Sequence, residues 1–195
     1  MRPSRICAVI SGLAAGSNTA PPRVTIVLQF EGPHSPASLD EMKREFVRAT
    51  RESVPVEWRM RNQIAVGSSV GDLVLVTFKG RCVMETAPPF ADETGPLAWT
   101  NTVDGALLPF SEVSCDQIRN LIVKAMWGGD FARADQLFGR ALGRVLAHEF
   151  YHMLAHTTAH ASTGVTKPAL SGAQLISDTF TVCDESLDRI AGRRR

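Results

Sequence analysis

The residues that could do chemistry gather in one short run, His148-Glu149-Phe150-Tyr151-His152-Met153-Leu154-Ala155-His156-Thr157-Thr158-Ala159-His160, which holds four of the five histidines in the chain. Residues four apart lie about 40° apart around an α-helix, so His148 and His152 project from one side of a helix, a turn apart. Two imidazoles so placed can bind one Zn²⁺ at about 2.0–2.1 Å each. Glu149 sits about 100° round from His148, too far to share the first shell easily but close enough to reach a water on the metal, as a general base must.

The other side of the same segment supports a helix with its back in a core. Leu142, Leu146, Phe150, Met153 and Leu154 fall in one arc roughly opposite His148, so the helix can bury that arc while its ligands face a cleft. A row of histidines on an apolar helix would be costly to bury without partners, and metal binding removes that cost. A catalytic zinc takes a third protein ligand and keeps a position open for water. His156 continues the spacing by four but lies about 80° from His148 on a straight helix. His160 falls beyond the expected helix end, where the chain can turn back beneath the metal. Asp178 and Glu185 are the options if the ligand comes from farther downstream. His160 is the favoured choice.

In this arrangement the segment resembles the metzincin-type zinc peptidases, in which HExxH is followed by a turn, a third His and a later Met-containing turn. The pattern HExxHxxGxxH is not met, since its Gly would fall on Ala155 and its third His on Thr158. The closer resemblance is to bacterial exported peptidase-like proteins with a two-residue-longer spacer, HExxH-x7-H-x3-G-I-M, read here as His148, Glu149, His152, His160 and Gly164-Val165-Thr166. It covers about twenty residues in detail and implies a zincin catalytic domain with Zn²⁺ on His148, His152 and His160, Glu149 as base, and a protein or peptide substrate. His156 stands where that pattern turns at a Gly, and Thr166 stands where a Met would form the floor under the metal. The single Tyr of the chain is Tyr151, inside the motif, so no later Tyr can serve as ligand or oxyanion donor.

The elements that must position this segment read as an α+β domain, a mixed twisted sheet packed on helices with one long active-site helix. Val24 to Phe30 (VTIVLQF) is short, apolar and β-branched, as a buried strand is. A helix start at Ser35 to Asp40 leads into helical spacing over Leu39 to Thr50, and Val54 to Met60 and Asp72 to Lys79 read as two more strands, giving β-α-β-β. Ala98 to Val103 and Ala106 to Val113 flank a turn at Asp104-Gly105. Cys115 to Trp127 is an expected helix ending at Gly128-Gly129, and Ala132 to about Ala155 is the longest helical pattern. A Ser/Thr/Gly/Pro-rich loop runs to Gly172, followed by a helical stretch from Ala173 and a short terminal helix near Glu185 to Ile190. Ala106 to Val113 is the expected sheet edge for an extended substrate, because Pro109 is tolerated best on an edge strand.

Bulk properties set the outer limits. With 195 residues, 44% of them hydrophobic and 21% charged, the chain has the composition of one ordinary globular domain. A formal net charge of +1 argues against a nucleic-acid or anionic-membrane partner, and no apolar run is long enough to span a bilayer. The triplet Arg193-Arg194-Arg195 reads as a solvated tail.

Arg2 and Arg5, the apolar stretch Ile6 to Leu13 and the small residues Ala14-Ala15-Gly16-Ser17 have the layout of a secretory signal peptide. Residues 1–20 are therefore read as a leader and 21–195 as a single domain, secreted or periplasmic. Without Cys7, three cysteines remain: Cys82, Cys115 and Cys183. They allow three pairings and leave one thiol over. Cys82 with Cys115 is favoured, since both stand at the ends of expected strands. Two further readings stay open: a zinc-binding extracellular module of the same fold that no longer cleaves, and a metalloenzyme acting on a non-peptide amide or ester.

Overall fold

The computed structural model describes residues 23–65, 72–84 and 95–192. The leader, Cys7, the terminal Arg triplet, and Pro88 and Pro89 lie outside them. The described chain is an α+β arrangement of one mixed five-stranded sheet with helices. Its strands are β1 (Val24–Phe30), β2 (Val56–Met60), β3 (Leu73–Lys79), β4 (Ala98–Val103) and β5 (Ala106–Ser114), in spatial order β2-β1-β3-β5-β4. All neighbouring pairs are parallel except β4 with β5. The unbroken apolar run of β1 is explained by its place: it has a parallel strand on each side, and its first five residues are buried. In β3, Val74, Val76 and Phe78 are buried and alternate with half-exposed residues, as a strand with one face on the core requires.

The β4–β5 hairpin turns at Asp104-Gly105, both with positive φ (50° and 77°), the left-handed pair that a tight two-residue hairpin needs. The expectation that Ala106 to Val113 forms the sheet edge is corrected here: β5 lies between β3 and β4, and β4 is the edge. Pro109 misled because it can sit in an interior strand at a gap in pairing. The β3 register begins at Phe110, and the β4 register shifts between Thr100 (opposite Ser111) and Thr102 (opposite Leu107), so no ladder partner depends on the missing Pro109 N–H.

The helices are α1 (Pro36–Ala49), α2 (Cys115–Val123), α3 (Ala134–Ala155), α4 (Gly172–Ile176) and α5 (Asp184–Gly192). Ser35 caps α1 by accepting from the Ser38 N–H, and Pro36 occupies the first turn, where its missing donor costs nothing. Helix α2 stops at Val123 rather than Trp127; Trp127 instead leads into the 3-10 turn Gly128–Arg133 and is 81% exposed. The Gly128-Gly129 pair breaks the helix upstream of itself, not only at its own position.

One apolar cluster joins Val24, Ile26 and Leu28 of β1 and Val74, Val76 and Phe78 of β3 to Met42 and Phe46 of α1, Ile118 and Ile122 of α2, and Leu142, Leu146 and Phe150 of α3. The expected apolar arc of α3 is thus buried, with Leu154 at its edge only half-buried. Helices α1 and α3 meet at Gly139 and Gly143: a Cβ on Gly139 would stand 2.4 Å from the Ser38 carbonyl oxygen, and one on Gly143 2.6 Å from that of Met42. Cys82 and Cys115 form a disulfide across a sequence separation of 33, tying the end of β3 to the start of α2, and Cys183 is a free thiol. Among the described residues no helix is long and apolar enough to cross a membrane.

Candidate metal centre

Helix α3 carries His148, Glu149 and His152 in its last two turns and ends at Ala155. His156 then takes the left-handed conformation, φ 42° and ψ 49°, and its N–H bonds back to the His152 carbonyl. This is a helix stop usually given to Gly. It turns the chain out of the helix axis, and the following segment brings His160 back against the two helical histidines. Ring centroids of His160 lie 5.1 Å from His148 and 4.7 Å from His152, and the nitrogens that the three rings can offer lie within 4.8 Å of one another. The alternatives separate cleanly. His156 is exposed at the helix stop, Asp178 pairs with Arg140 at 2.8 Å, and Glu185 pairs with Arg189 at 2.6 Å.

Two backbone carbonyls orient the helical rings. His148 Nδ1–H donates to Val165 O at 2.8 Å and His152 Nδ1–H donates to Thr157 O at 2.7 Å. A carbonyl can only accept, so each Nδ1 holds the proton and each Nε2 of a neutral ring presents a lone pair. These two Nε2 atoms face each other at 3.0 Å. Lone pairs so close repel unless a cation lies between them, and two nitrogens on a tetrahedral ion at 2.0–2.1 Å would stand about 3.3 Å apart. The three histidines could therefore hold a metal ion. Burial lowers His148 to about 4, partly offset by its Val165 hydrogen bond, and burial lowers His152 as well. Both shifts favour the neutral ring, the form in which an imidazole can bind a metal.

Glu149 is 5% exposed and lies beside this cluster. Burial pushes its carboxyl up to about 7, against the opposing pull of the Thr100 hydroxyl, which donates to Glu149 Oε2 at 2.7 Å. Spacing along α3 gave no sign of Thr100. It lies 49 residues away on the edge strand, and only the packing of β4 over α3 brings it to the carboxylate. Around the cluster a cleft of about 720 Å³ is lined by Trp99, Thr100 and Thr102 of β4, Asn120 and Leu121 of α2, and Leu170 of the loop before α4. The edge strand is one wall and the metal-ligand cluster lies within the cleft.

Thr166 does not lie among the ligands of the cluster. It is fully buried, and its hydroxyl pairs with the Ser186 hydroxyl at 2.9 Å and lies 3.9 Å from Cys183 Sγ. It fastens the loop to α5 by hydrogen bonding. Its neighbour Val165 does the work at the site through its carbonyl. Tyr151 is buried, its ring centroid 5.4 Å from that of His152, and its hydroxyl receives a hydrogen bond from Arg189 at 3.2 Å.

Fold and site together define an α+β domain with three convergent histidines, a buried carboxylate beside them and an open cleft under a sheet edge. No family model matches the chain, and no curated protein matches it.

Proposed function

We propose that this chain is an exported zinc-dependent metallopeptidase of the metzincin-like type. The observation that carries the reading is the pair of Nε2 lone pairs held 3.0 Å apart by carbonyl-locked rings, with His160 beside them and Glu149 within the same cleft. His148, His152 and His160 would hold the metal, which when bound supplies a Lewis acid that acidifies a water and polarises the scissile carbonyl. Glu149 takes the proton of the attacking water on its carboxylate and delivers it to the leaving amine. Burial raises this carboxyl in the metal-free site, the direction that suits a base which must later give up its proton. An extended substrate would lie along β4, the edge strand among the described residues, pairing by backbone hydrogen bonds while side chains alternate into the cleft and out of it. Export is supported by the layout of residues 1–20 and by the disulfide, a bond that persists in oxidising compartments.

The test uses purified protein, wild type against Glu149→Ala and His160→Ala, with bound metal measured and cleavage of a denatured protein library followed by mass spectrometry. Wild type should hold about one zinc per chain, as a catalytic site does, and cut; Glu149→Ala should hold the same zinc and not cut. His160→Ala should lose more zinc affinity than the roughly 10–100-fold that removal of a mere outer-shell partner costs. Zinc retained in wild type without any cleavage beyond that of Glu149→Ala would defeat the peptidase reading and leave a zinc-binding module. A small-molecule amide and ester panel run alongside decides whether the cleaved bond is a peptide.

A further inference from the structure

Glu149 has three rotatable side-chain bonds, so its place on a well-packed helix does not by itself fix where its two oxygens lie. The structure gives Glu149 Oε2 a hydrogen bond from the Thr100 hydroxyl at 2.7 Å. Thr100 is a stiff choice for that task. A β-branched residue in an extended strand has a restricted χ1, so its hydroxyl is aimed by the backbone. That backbone is itself pinned: Thr100 pairs with Ser111 in the register of β5, and the Ser111 hydroxyl, 2% exposed, donates to the carbonyl of Trp99 at 3.1 Å. Immediately beyond Thr100 the register shifts, so Thr100 stands at the last regular step before the irregularity. With Oε2 occupied, Oε1 is the oxygen left to face a water in the cleft.

We infer that Thr100 is the positioning residue of Glu149, holding one carboxylate oxygen so that the other is aimed at the attacking water. This deepens the metallopeptidase reading and rests on it. Because Thr100 belongs to the strand along which a substrate would lie, the base and the substrate rail are aligned through one residue. A slide of β4 against α3 would then misplace both together.

A double-mutant cycle tests this in the zinc-loaded protein: wild type, Thr100→Val, Thr100→Ser, Glu149→Ala and Thr100→Val with Glu149→Ala. Three quantities are read: zinc affinity by chelator competition, affinity for acetohydroxamate, and kcat and KM for a cleaved peptide. Acetohydroxamate chelates zinc and places an oxygen where the base can hydrogen-bond to it, so it reports on Glu149 without any bond being cut.

Zinc affinity should be the same in all five proteins. Loss of one hydrogen bond to a charged group should lower kcat and acetohydroxamate affinity in Thr100→Val by roughly ten- to a hundredfold, with KM little changed. Thr100→Ser, which keeps the hydroxyl, should restore most of both. In the Glu149→Ala background Thr100→Val should have no further effect, since its only route is through that carboxylate. Wild-type kcat and hydroxamate affinity in Thr100→Val would overturn the inference, as would an equal loss in both backgrounds or a Ser variant that fails to rescue. If wild type cuts nothing, the peptidase reading falls while the acetohydroxamate cycle still decides the role of Thr100.

Discussion

Replacing Arg144 with Met should destabilise the fold by about 3–5 kcal/mol, the range for breaking a buried ion pair. The Arg144 side chain is 0% exposed and that of Glu45 2%. Its guanidinium donates to Glu45 Oε1 at 2.6 Å, to Gln174 O at 2.6 Å, to Leu175 O at 3.1 Å, and to Ser177 O at 2.8 Å. Some of these acceptors keep another partner. Gln174 O retains the Ser177 hydroxyl, Ser177 O retains Arg140, and Glu45 retains Arg48. Removing the guanidinium takes one charged partner from buried Glu45, at about 1.5–3 kcal/mol, and leaves Leu175 O without its donor, at about 1–3 kcal/mol, a sum of about 2.5–6 kcal/mol that brackets the 3–5.

Arg48 is the internal control. It binds the same carboxylate, but its side chain is 42% exposed, so Arg48→Met should cost about 1 kcal/mol or less. Urea unfolding followed by far-UV circular dichroism, with zinc held at one fixed activity, measures both. In a thermal scan Arg144→Met should melt roughly 10 °C lower. A loss under about 1 kcal/mol for Arg144→Met, or a larger one for Arg48→Met, would refute the claim that burial sets the value of this contact.

Two further substitutions probe the turns and contacts that shape the site. His156→Gly should raise stability by about 1 kcal/mol, since a side chain in the left-handed region costs roughly 1–2 kcal/mol, while His156→Val should lower it; thermal melts that rank Val above Gly would contradict the strained helix stop at φ 42°. Gly143→Ala adds a Cβ 2.6 Å from Met42 O, 2.8 Å from Glu45 Cβ and 3.0 Å from Phe46 N. Forcing α1 away should cost about 1–3 kcal/mol despite the better helix propensity of Ala, and a urea midpoint at or above wild type would deny the close contact.

Where the sequence was legible, a local period or a short-range turn carried the information. The apolar run of β1, the Asp104-Gly105 hairpin and the amphipathic α3 are each set by residues within one element, and each lies where its pattern places it. The Cys82–Cys115 pairing needed only strand ends to come together. What could not be read depends on contacts between distant segments. Pro109 looks like an edge residue until the register of two neighbours shows that neither needs its N–H. Thr100 is one of two threonines in β4, and nothing local sets it apart from Thr102. Gly139 and Gly143 carry no local signal of their role, yet they are where α3 meets α1. Helix α2 ends at Val123, four residues short of Trp127, because a Gly pair marks a stop without saying how far upstream the helix gives way.

His160, the proposed third ligand, is the point where spacing alone understates the arrangement. Counting residues assigns two ligands to the helix and one to a turn, as if the turn only delivered His160. In the structure the same segment also sets the other two rings, since the carbonyls of Thr157 and Val165 hold the Nδ1 protons of His152 and His148. That segment is in turn fastened at several points: Ala161 N to Thr166 O, Val165 N to Thr181 O, and the Thr166 hydroxyl to Ser186, while the neighbouring Val182 N bonds to Ala49 O. Gly164, with φ 72°, is needed because a Cβ there would stand 2.7 Å from Thr181 O. A Met floor would secure such a loop by apolar packing. Thr166 secures it by a buried hydroxyl pair, which explains how the chain keeps the ligand geometry with a polar residue at that position. The loop from Thr157 to Thr166 then carries His160 and orients the other two rings, so damage to its anchors should disturb all three histidines together, and with them the metal binding proposed above.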